Sequence, residues 1–286
     1  MENFPKVFII ILNYNGKDFI AKTLSSVFKL DYPNFRVLLV DNNSTDGSLE
    51  LAKLNFSKAV FIKNNANLGF SSGNNVGIKY ALEREADYVL LLNYDTEVRA
   101  DFLTNLVASM KKDDKIGIGS PVILSKAVSR VWFSGGKIAW LKMKTWQEEE
   151  EREEDYFKSD YISGCSMIIK AEVFKKIGLL DEDYFLYWED ADFSLKARRA
   201  GFKLVVSAKS RIYHWEKSEE TKENKIYWLV VSGLVFFKKN TPFWLKGWIL
   251  FYLWARRLKN IFDVNFRKRN LARTVQKAYR DFDHVK

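Results

Sequence analysis

The sequence predicts an α/β protein built on a doubly wound, mostly parallel, Rossmann-like sheet. Three observations carry this. Continuous β-branched runs recur along the chain, as in strands covered on both faces. Segments with apolar residues at helical spacing alternate with them. Polar residues close several of the runs, at the carboxyl ends where such sheets bind ligands.

V-F-I-I-I-L (7–12) reads as the first strand, and K-D-F-I-A-K-T-L-S-S-V-F (17–28) as the first helix. F-R-V-L-L-V-D (35–41) is a second strand, followed by a turn, D-N-N-S-T-D-G-S, that can cap the next helix. A-V-F-I-K (59–63) is a third strand, and N-L-G-F-S-S-G-N-N runs from a Gly-rich loop into a helix. Y-V-L-L-L-N-Y-D (88–95) is a fourth strand; a helix near 101–111 and a strand around 116–123 follow. Residues 126–160 break the alternation, and their acidic run E-E-E-E-R-E-E-D (148–155) reads as a solvated loop or exposed helix. Beyond it, 164–170 reads as a strand, 171–178 and 192–201 as Gly-terminated helices, and 203–207 and 211–215 as extended segments.

The 286 residues suffice for one large domain plus an appendage. The lone Cys165 excludes an internal disulfide and fits a reducing compartment. The opening apolar run ends in N-Y-N-G without a cleavage site, so it is expected to be a strand and not a signal peptide. The net charge of +10 calls for an anionic partner: nucleic acid, a phosphorylated small molecule or an acidic membrane surface. Most of the excess lies beyond Pro242, where Lys and Arg far outnumber Asp263, Asp281 and Asp283. Two apolar, aromatic stretches, 226–237 and 243–254, precede or join that basic segment. Each falls short of the roughly 20 residues of a membrane span. Trp and Tyr beside Lys and Arg suit helices lying in a membrane interface and disfavour nucleic acid; a buried helical pair or a dimer contact is the other reading. The expected division is 1–225 as the main domain and 226–286 as a helical, membrane-interfacial appendage.

The candidate chemistry sits at the strand ends. Asp95 could hold Mg2+ or Mn2+ at a diphosphate, or merely cap a helix. Asp41 could accept a hydrogen bond from a nucleoside, or form a turn. In Y-F-L-Y-W-E-D-A-D-F (184–193) acids sit among aromatics; aromatic walls suit sugar rings, and a carboxylate among them can act as a general base. His214 is structural or completes a metal site.

Together these motifs resemble the family 2 inverting glycosyltransferases of GT-A fold, most closely the rhamnosyltransferase-like branch. The resemblance runs through I-I-L-N-Y-N-G, L-V-D-N-N-S-T-D-G-S, N-L-G-F-S-S-G-N-N-V-G-I, L-L-L-N-Y-D-T, S-G-C-S-M-I-I-K and F-L-Y-W-E-D-A-D-F-S-L-K-A-R-R-A-G, over about residues 5–240. It implies that Asn13, Tyr14 and Asp41 hold the nucleobase and ribose of a sugar nucleotide. Asn67, Gly69, Gly73, Asn74 and Asn93 would line the donor site. Asp95 and His214 would serve a metal, Mg2+ or Mn2+. Asp190 would be the catalytic base, with Trp188 and Glu189 at the acceptor. Asn93 stands where many members carry Asp, and Tyr94 where this branch often has Pro. Ser232-Gly233 stands near the place of an Arg-Asn pair. The implied activity moves a sugar from a UDP- or dTDP-sugar to a saccharide or lipid-linked acceptor, in cell-envelope polysaccharide synthesis at the cytoplasmic face of the plasma membrane. A nucleotidyltransferase making sugar nucleotides would want a basic, Gly-rich triphosphate loop, for which only Gly16 and Lys17 are on offer. A non-catalytic sugar- or lipid-binding scaffold is the third reading.

Overall fold

The computed structural model describes residues 4–152, 154–216, 221–267 and 270–284. Its first half alternates as the sequence predicts: β1 (Val7–Asn13), α1 (Lys17–Val27), β2 (Phe35–Asp41), α2 (Ser48–Asn55), β3 (Val60–Lys63), α3 (Gly69–Leu82) and β4 (Tyr88–Asn93). Then come β5 (Thr96–Val98), α4 (Phe102–Met110), β6 (Ile116–Ser125), β7 (Val131–Phe133), β8 (Gly136–Ala139), β9 (Lys144–Gln147), β10 (Tyr156–Lys158) and β11 (Ser166–Lys170). The chain continues with α5 (Ala171–Ile177), α6 (Glu189–Arg199), β12 (Lys203–His214), α7 (Lys222–Asn240), α8 (Lys246–Asn265) and α9 (Asn270–His284).

Eight strands of the main sheet run in the order β10-β12-β6-β11-β4-β1-β2-β3, with β5 beside β12 and β7 beside β6. β3, β2, β1 and β4 are parallel neighbours, as are β6 and β12. β11 lies antiparallel between β4 and β6. The sheet is thus mixed, with β10, β5 and β7 also antiparallel to their neighbours, and β11 carries the loop before it to the rim where β4 ends. Apolar runs bury both faces: Val7, Ile9, Ile10 and Ile11 of β1 and Val89 and Leu90 of β4 have no exposed surface. The closest helix packing uses Gly77 of α3. A Cβ there would meet Ile10 Cγ2 at 2.7 Å and Val40 Cγ2 at 3.1 Å, so the helix lies directly on the sheet.

Several expectations are refined. The fourth strand stops at Asn93, because the chain turns at Tyr94-Asp95 before β5. The segments 203–207 and 211–215 form one strand, irregular between Ser207 and Arg211. The acidic run is partly paired: Glu148 meets Arg152 and Lys137, Glu151 meets Arg211, and Asp155 meets Lys209. Residue 153 of that run lies outside the described residues.

The division expected at 225 falls inside α7. The second half of α7 is buried, from Ser232 to Phe237 and at Asn240, and it packs against α6 and the loop before it. The first apolar stretch therefore belongs to the main domain by its contacts. The amphipathic α9 packs on α7 and α8, fixed by Tyr227 to Asp281 (2.9 Å) and by the two-pronged Arg257–Asp283 pair. α8 buries only Ile249 and Asn260.

Candidate active site

The strands β1, β2 and β4 end level with one another, pairing Asn13 with Asp41 and Leu12 with Asn93. Asn13 and Asp41 have no exposed surface, and neither lines the cavity described below. Asn13 Nδ2 donates to Asp41 Oδ1 and Ser48 Oγ, both at 2.8 Å, and lies 3.0 Å from Ser44 Oγ. Asp41 also accepts from the Ser44 amide and hydroxyl, at 2.9 and 2.6 Å. Ser44 Oγ in turn accepts from the Asn15 amide at 3.0 Å. The network thus shapes the loops that present Tyr14, Asn15 and Asn42 to the cavity.

Gly73 and Asn74 are also supports. A Cβ at Gly73 would meet Leu12 and Asn42, and Asn74 Nδ2 donates back to the Phe70 carbonyl. Asn67 and Gly69 do line the cavity. Gly69 has φ +75°, and a Cβ there would collide with the Phe185 carbonyl. Only glycine satisfies both constraints at no cost.

These loops border a cavity of about 900 Å³, whose lining includes Asn93, Tyr94, Asp95, Trp188, Glu189, Asp190 and His214. β5 pairs Thr96 with His214, the last residue of β12, and so brings Asp95 beside the imidazole. His214 Nε2 lies 3.1 Å from Asp95 Oδ2. Both side chains are nine-tenths buried. The Trp132 ring meets the imidazole edge-on at 4.8 Å, and the Trp215 amide donates to the Asp95 carbonyl. Asp95 Oδ1 and His214 Nδ1 are buried without a hydrogen-bond partner among the described residues. No cluster of three or more His, Cys, Asp and Glu suited to a cation occurs among those residues.

The acidic pair comes from the opposite wall. Tyr187 and Trp188 both have left-handed backbones, φ 67° and 72°, and α6 begins at Glu189. Such conformations cost of order 1–3 kcal/mol each and persist where the surroundings impose them. Here α7 imposes them. Trp188 Nε1 donates to the Leu229 carbonyl (3.1 Å), and Ser232 Oγ donates to the Leu186 carbonyl (2.7 Å). The Trp188 ring packs on Phe236 and Phe237, and Gly233 leaves it room.

Asp190 accepts from the Gly164 amide at 3.0 Å and from the Ala191 amide at 2.7 Å. Burial nevertheless raises its carboxyl pKa. Burial, with the Asp190 charge beside it, pushes Glu189 well above the usual carboxylate range. Asp192 stands apart: it pairs with Lys196 and accepts from Tyr184 and Asn240, holding the helices together. The aromatics divide likewise. Tyr184 is core, whereas Phe185, stacked on Trp228 at 4.5 Å, and Trp188 face the cavity.

Asp95, Asp190 and His214 thus share one cavity, and Asp41 lies behind it. Sequence reasoning missed Thr145 and Gln147 of the β8–β9 hairpin, Tyr161, Ser163, and the opening of α7 with Lys225, all of which line the cavity.

Residues 8–178, more than half of the chain, match the family model described as glycosyl transferase family 2. The chain belongs to glycosyl transferase family 2. The nucleotidyltransferase and scaffold readings give way to it. Among curated relatives, a low-salt glycan biosynthesis hexosyltransferase of Haloferax volcanii is 28% identical, over 77% of this chain and 70% of that one. A dTDP-rhamnosyl transferase of Shigella flexneri is 24% identical, over 73% and 68%. An N-acetylglucosaminyl-diphospho-decaprenol L-rhamnosyltransferase of Mycobacterium tuberculosis is 23% identical, over 72% and 75%. The fold is that of S. aureus TarS 1–349 in complex with UDP-GlcNAc, with TM-score 0.63, 18% identity and coverage of 97% and 80%. GalNAc-T7 with UDP, GalNAc and Mn2+ gives TM-score 0.62 at 22% identity, over 81% of this chain and 48% of that one. The GT-A architecture of this glycosyltransferase is therefore shown.

The Asn13–Asp41 network yields a stability test. Asn13→Ala leaves buried Asp41 and Ser48 groups without their partner and should lower unfolding free energy by about 1–3 kcal/mol in urea titrations. A change under about 0.5 kcal/mol, the range of ordinary surface substitutions, would remove the supporting role.

Proposed function

We propose that this glycosyltransferase inverts configuration, using a divalent cation and moving a sugar from a UDP- or dTDP-sugar to a saccharide or lipid-linked saccharide. The observation that carries it is a part-buried carboxylate, Asp190, facing the same cavity as Asp95 and His214. The names of the relatives, which include a dTDP-rhamnosyl transferase and an enzyme named for a diphospho-decaprenol saccharide, support the donor and acceptor classes. They also support a setting in cell-envelope polysaccharide synthesis.

Asp190 takes the proton of the acceptor hydroxyl. The acceptor oxygen forms its bond to the anomeric carbon while the bond to the diphosphate breaks, its electron pair leaving with the phosphate oxygen. Attack and departure on opposite faces invert the centre. The Gly164 and Ala191 amides hold the Asp190 carboxylate in place through this transfer. Trp188 and Glu189 bound the acceptor. Tyr14, Asn67, Gly69 and Asn93 face the donor, and Asn13, Asp41, Gly73 and Asn74 position them from behind.

Asp95 and His214 fit a divalent cation: a buried carboxylate oxygen without a partner adjoins an imidazole, a donor set suited to Mn2+ or, through oxygen, Mg2+. Two protein ligands leave room for diphosphate oxygens. Such an ion supplies charge neutralisation for the leaving group.

The membrane reading rests on α8. Phe251 and Trp254 are 56% and 58% exposed, and Trp244, Leu250, Leu258, Ile261, Phe262 and Phe266 are exposed with them. The flanking cations are Lys246, Arg256 and Lys259. Trp248 Nε1 donates to the carbonyl of exposed Leu141, joining this face to the β8–β9 hairpin. No helix among the described residues is long and apolar enough to cross a membrane. An apolar face edged with cations suits a helix lying in an anionic interface, and hence a peripheral protein on the inner face of the plasma membrane.

Asp190→Asn should keep donor binding and lose transfer by about 100- to 10,000-fold, the usual worth of a general base. Near-wild-type transfer would reject the assignment. The pH profile follows from the raised pKa. A base must be ionised, so activity falls as pH drops through a value above the usual aspartate figure of about 3.9. Burial and the Asp190 charge raise Glu189 well above the usual range and so favour its neutral form, and Glu189→Gln, which keeps that side chain neutral, should leave the acidic limb where it is. A limb moved down by about one unit would show instead a charged Glu189 beside Asp190.

Phe251→Glu with Trp254→Glu should abolish sedimentation with phosphatidylglycerol vesicles while sparing transfer to a soluble acceptor. Undiminished sedimentation, or a concentration-dependent dimer lost in the same variant without vesicle binding, would overturn the membrane reading.

A further inference from the structure

We infer that Lys225 is a further catalytic residue: the fold's own cation for the departing diphosphate, carried on the helix that also seats the Asp190 loop. The inference rests on the nucleotide-sugar reading above.

The argument begins with charge. The acidic side chains lining the cavity are Asp95, Glu189, Asp190 and Glu216. Among the described residues, the one Lys or Arg in the lining is Lys225. A nucleoside diphosphate entering such a wall is repelled unless positive charge meets it, and the repulsion is stronger in a partly dry site than in water. A divalent ion at Asp95 and His214 offsets part of this. The rest must come from the protein, and among the described residues Lys225 is the cationic side chain that lines the cavity.

Its surroundings agree. Among the described residues the Lys225 ammonium makes no ion pair or hydrogen bond, whereas Lys239 on the same helix is held by Asp181 and Asp183. Lys225 stands in the opening turn of α7, a helix of 19 residues. Thr221 caps that turn, accepting from the Asn224 amide at 3.2 Å, and Thr221 and Asn224 line the cavity too. The positive end of the helix dipole therefore faces the same space. Asp95 Oδ1 and His214 Nδ1, buried and unpartnered in that cavity, independently mark it as a place where a ligand completes the polar contacts.

The same helix reaches the base. One turn beyond Lys225, Trp228 stacks on Phe185 and Leu229 accepts from Trp188, and one turn further Ser232 donates to Leu186. These three contacts fix the loop that delivers Glu189 and Asp190. α7 thus joins the group that meets the leaving phosphate to the group that takes the acceptor proton. As the bond from the anomeric carbon to oxygen breaks, its electron pair moves to the phosphate oxygen. The Lys225 ammonium donates a hydrogen bond there and keeps its proton.

The test compares Lys225→Met, Lys225→Gln and Lys225→Arg with the unaltered protein, after each is shown to keep its melting temperature. Binding of UDP, dTDP and uridine is measured by calorimetry with Mn2+, and transfer or donor hydrolysis is measured alongside. Loss of one such donor to a developing anion is worth about 100- to 1,000-fold in kcat. The neutral variants should show a loss of that order and bind the diphosphates about tenfold more weakly, with uridine affinity unchanged. Arg should restore most of both. If the neutral variants bind UDP and dTDP and turn over the sugar-nucleotide donor as well as the unaltered protein does, the Lys225 role is wrong and the nucleotide-sugar reading stands. If the unaltered protein binds neither diphosphate, that reading itself fails. A neutral variant that weakens uridine as much as UDP would make Lys225 a structural residue only, which also overturns the proposal.

Discussion

The carboxylate of Asp190, the proposed base, is held in a pocket that disfavours its charge, and much of the structure answers that conflict. Asp190 is rescued by two backbone amides, one from its own helix and one from Gly164 before β11. The second amide is available because β11 enters the sheet antiparallel between β4 and β6. An all-parallel sheet would not bring the start of that strand to this rim. The amides oppose the effect of burial without cancelling it, which leaves the proposed base with a raised pKa.

The loop before α6 carries the cost of this placement in two consecutive left-handed residues, Tyr187 and Trp188. α7 offsets that cost through hydrogen bonds to Leu186 and Trp188 and through the aromatic packing of Phe236 and Phe237. Small residues make the contact possible: Ser232 supplies the donor, and Gly233 keeps the indole from being displaced. At the opposite wall, the short β5 fixes Asp95 against His214 by pairing with the end of β12. Asp190 and the Asp95–His214 pair therefore come from separate chain segments that only the completed sheet brings together.

The sheet was legible because buried strands announce themselves as β-branched runs, and Asp95, Asp190 and His214 were legible because each follows such a run or opens a helix at the rim. Asn13 and Asp41 were harder. A polar side chain at a strand end can point toward a ligand or toward the next turn, and both look alike in sequence; here it is the turn, through Ser44 and Ser48. The stretch 226–237 was apolar enough to suggest a membrane interface, yet its second half packs on the loop before α6. Its signal was the Ser-Gly pair inside an aromatic run. Lys225 and the β8–β9 hairpin gave no local signal, since their place at the cavity depends on contacts far apart in the chain. α8 is where the expectation of an exposed aromatic face persists, as most of its large apolar side chains lie open.

The proposed single base opposite a leaving diphosphate would commit the protein to one displacement. Proton NMR of the newly formed glycoside, recorded with a nucleotide sugar of known anomeric configuration before the product can equilibrate, tests this most directly. The account predicts the configuration opposite to that of the donor. Retained configuration would require a second displacement or front-face attack, and would contradict Asp190 as a base acting on the acceptor hydroxyl.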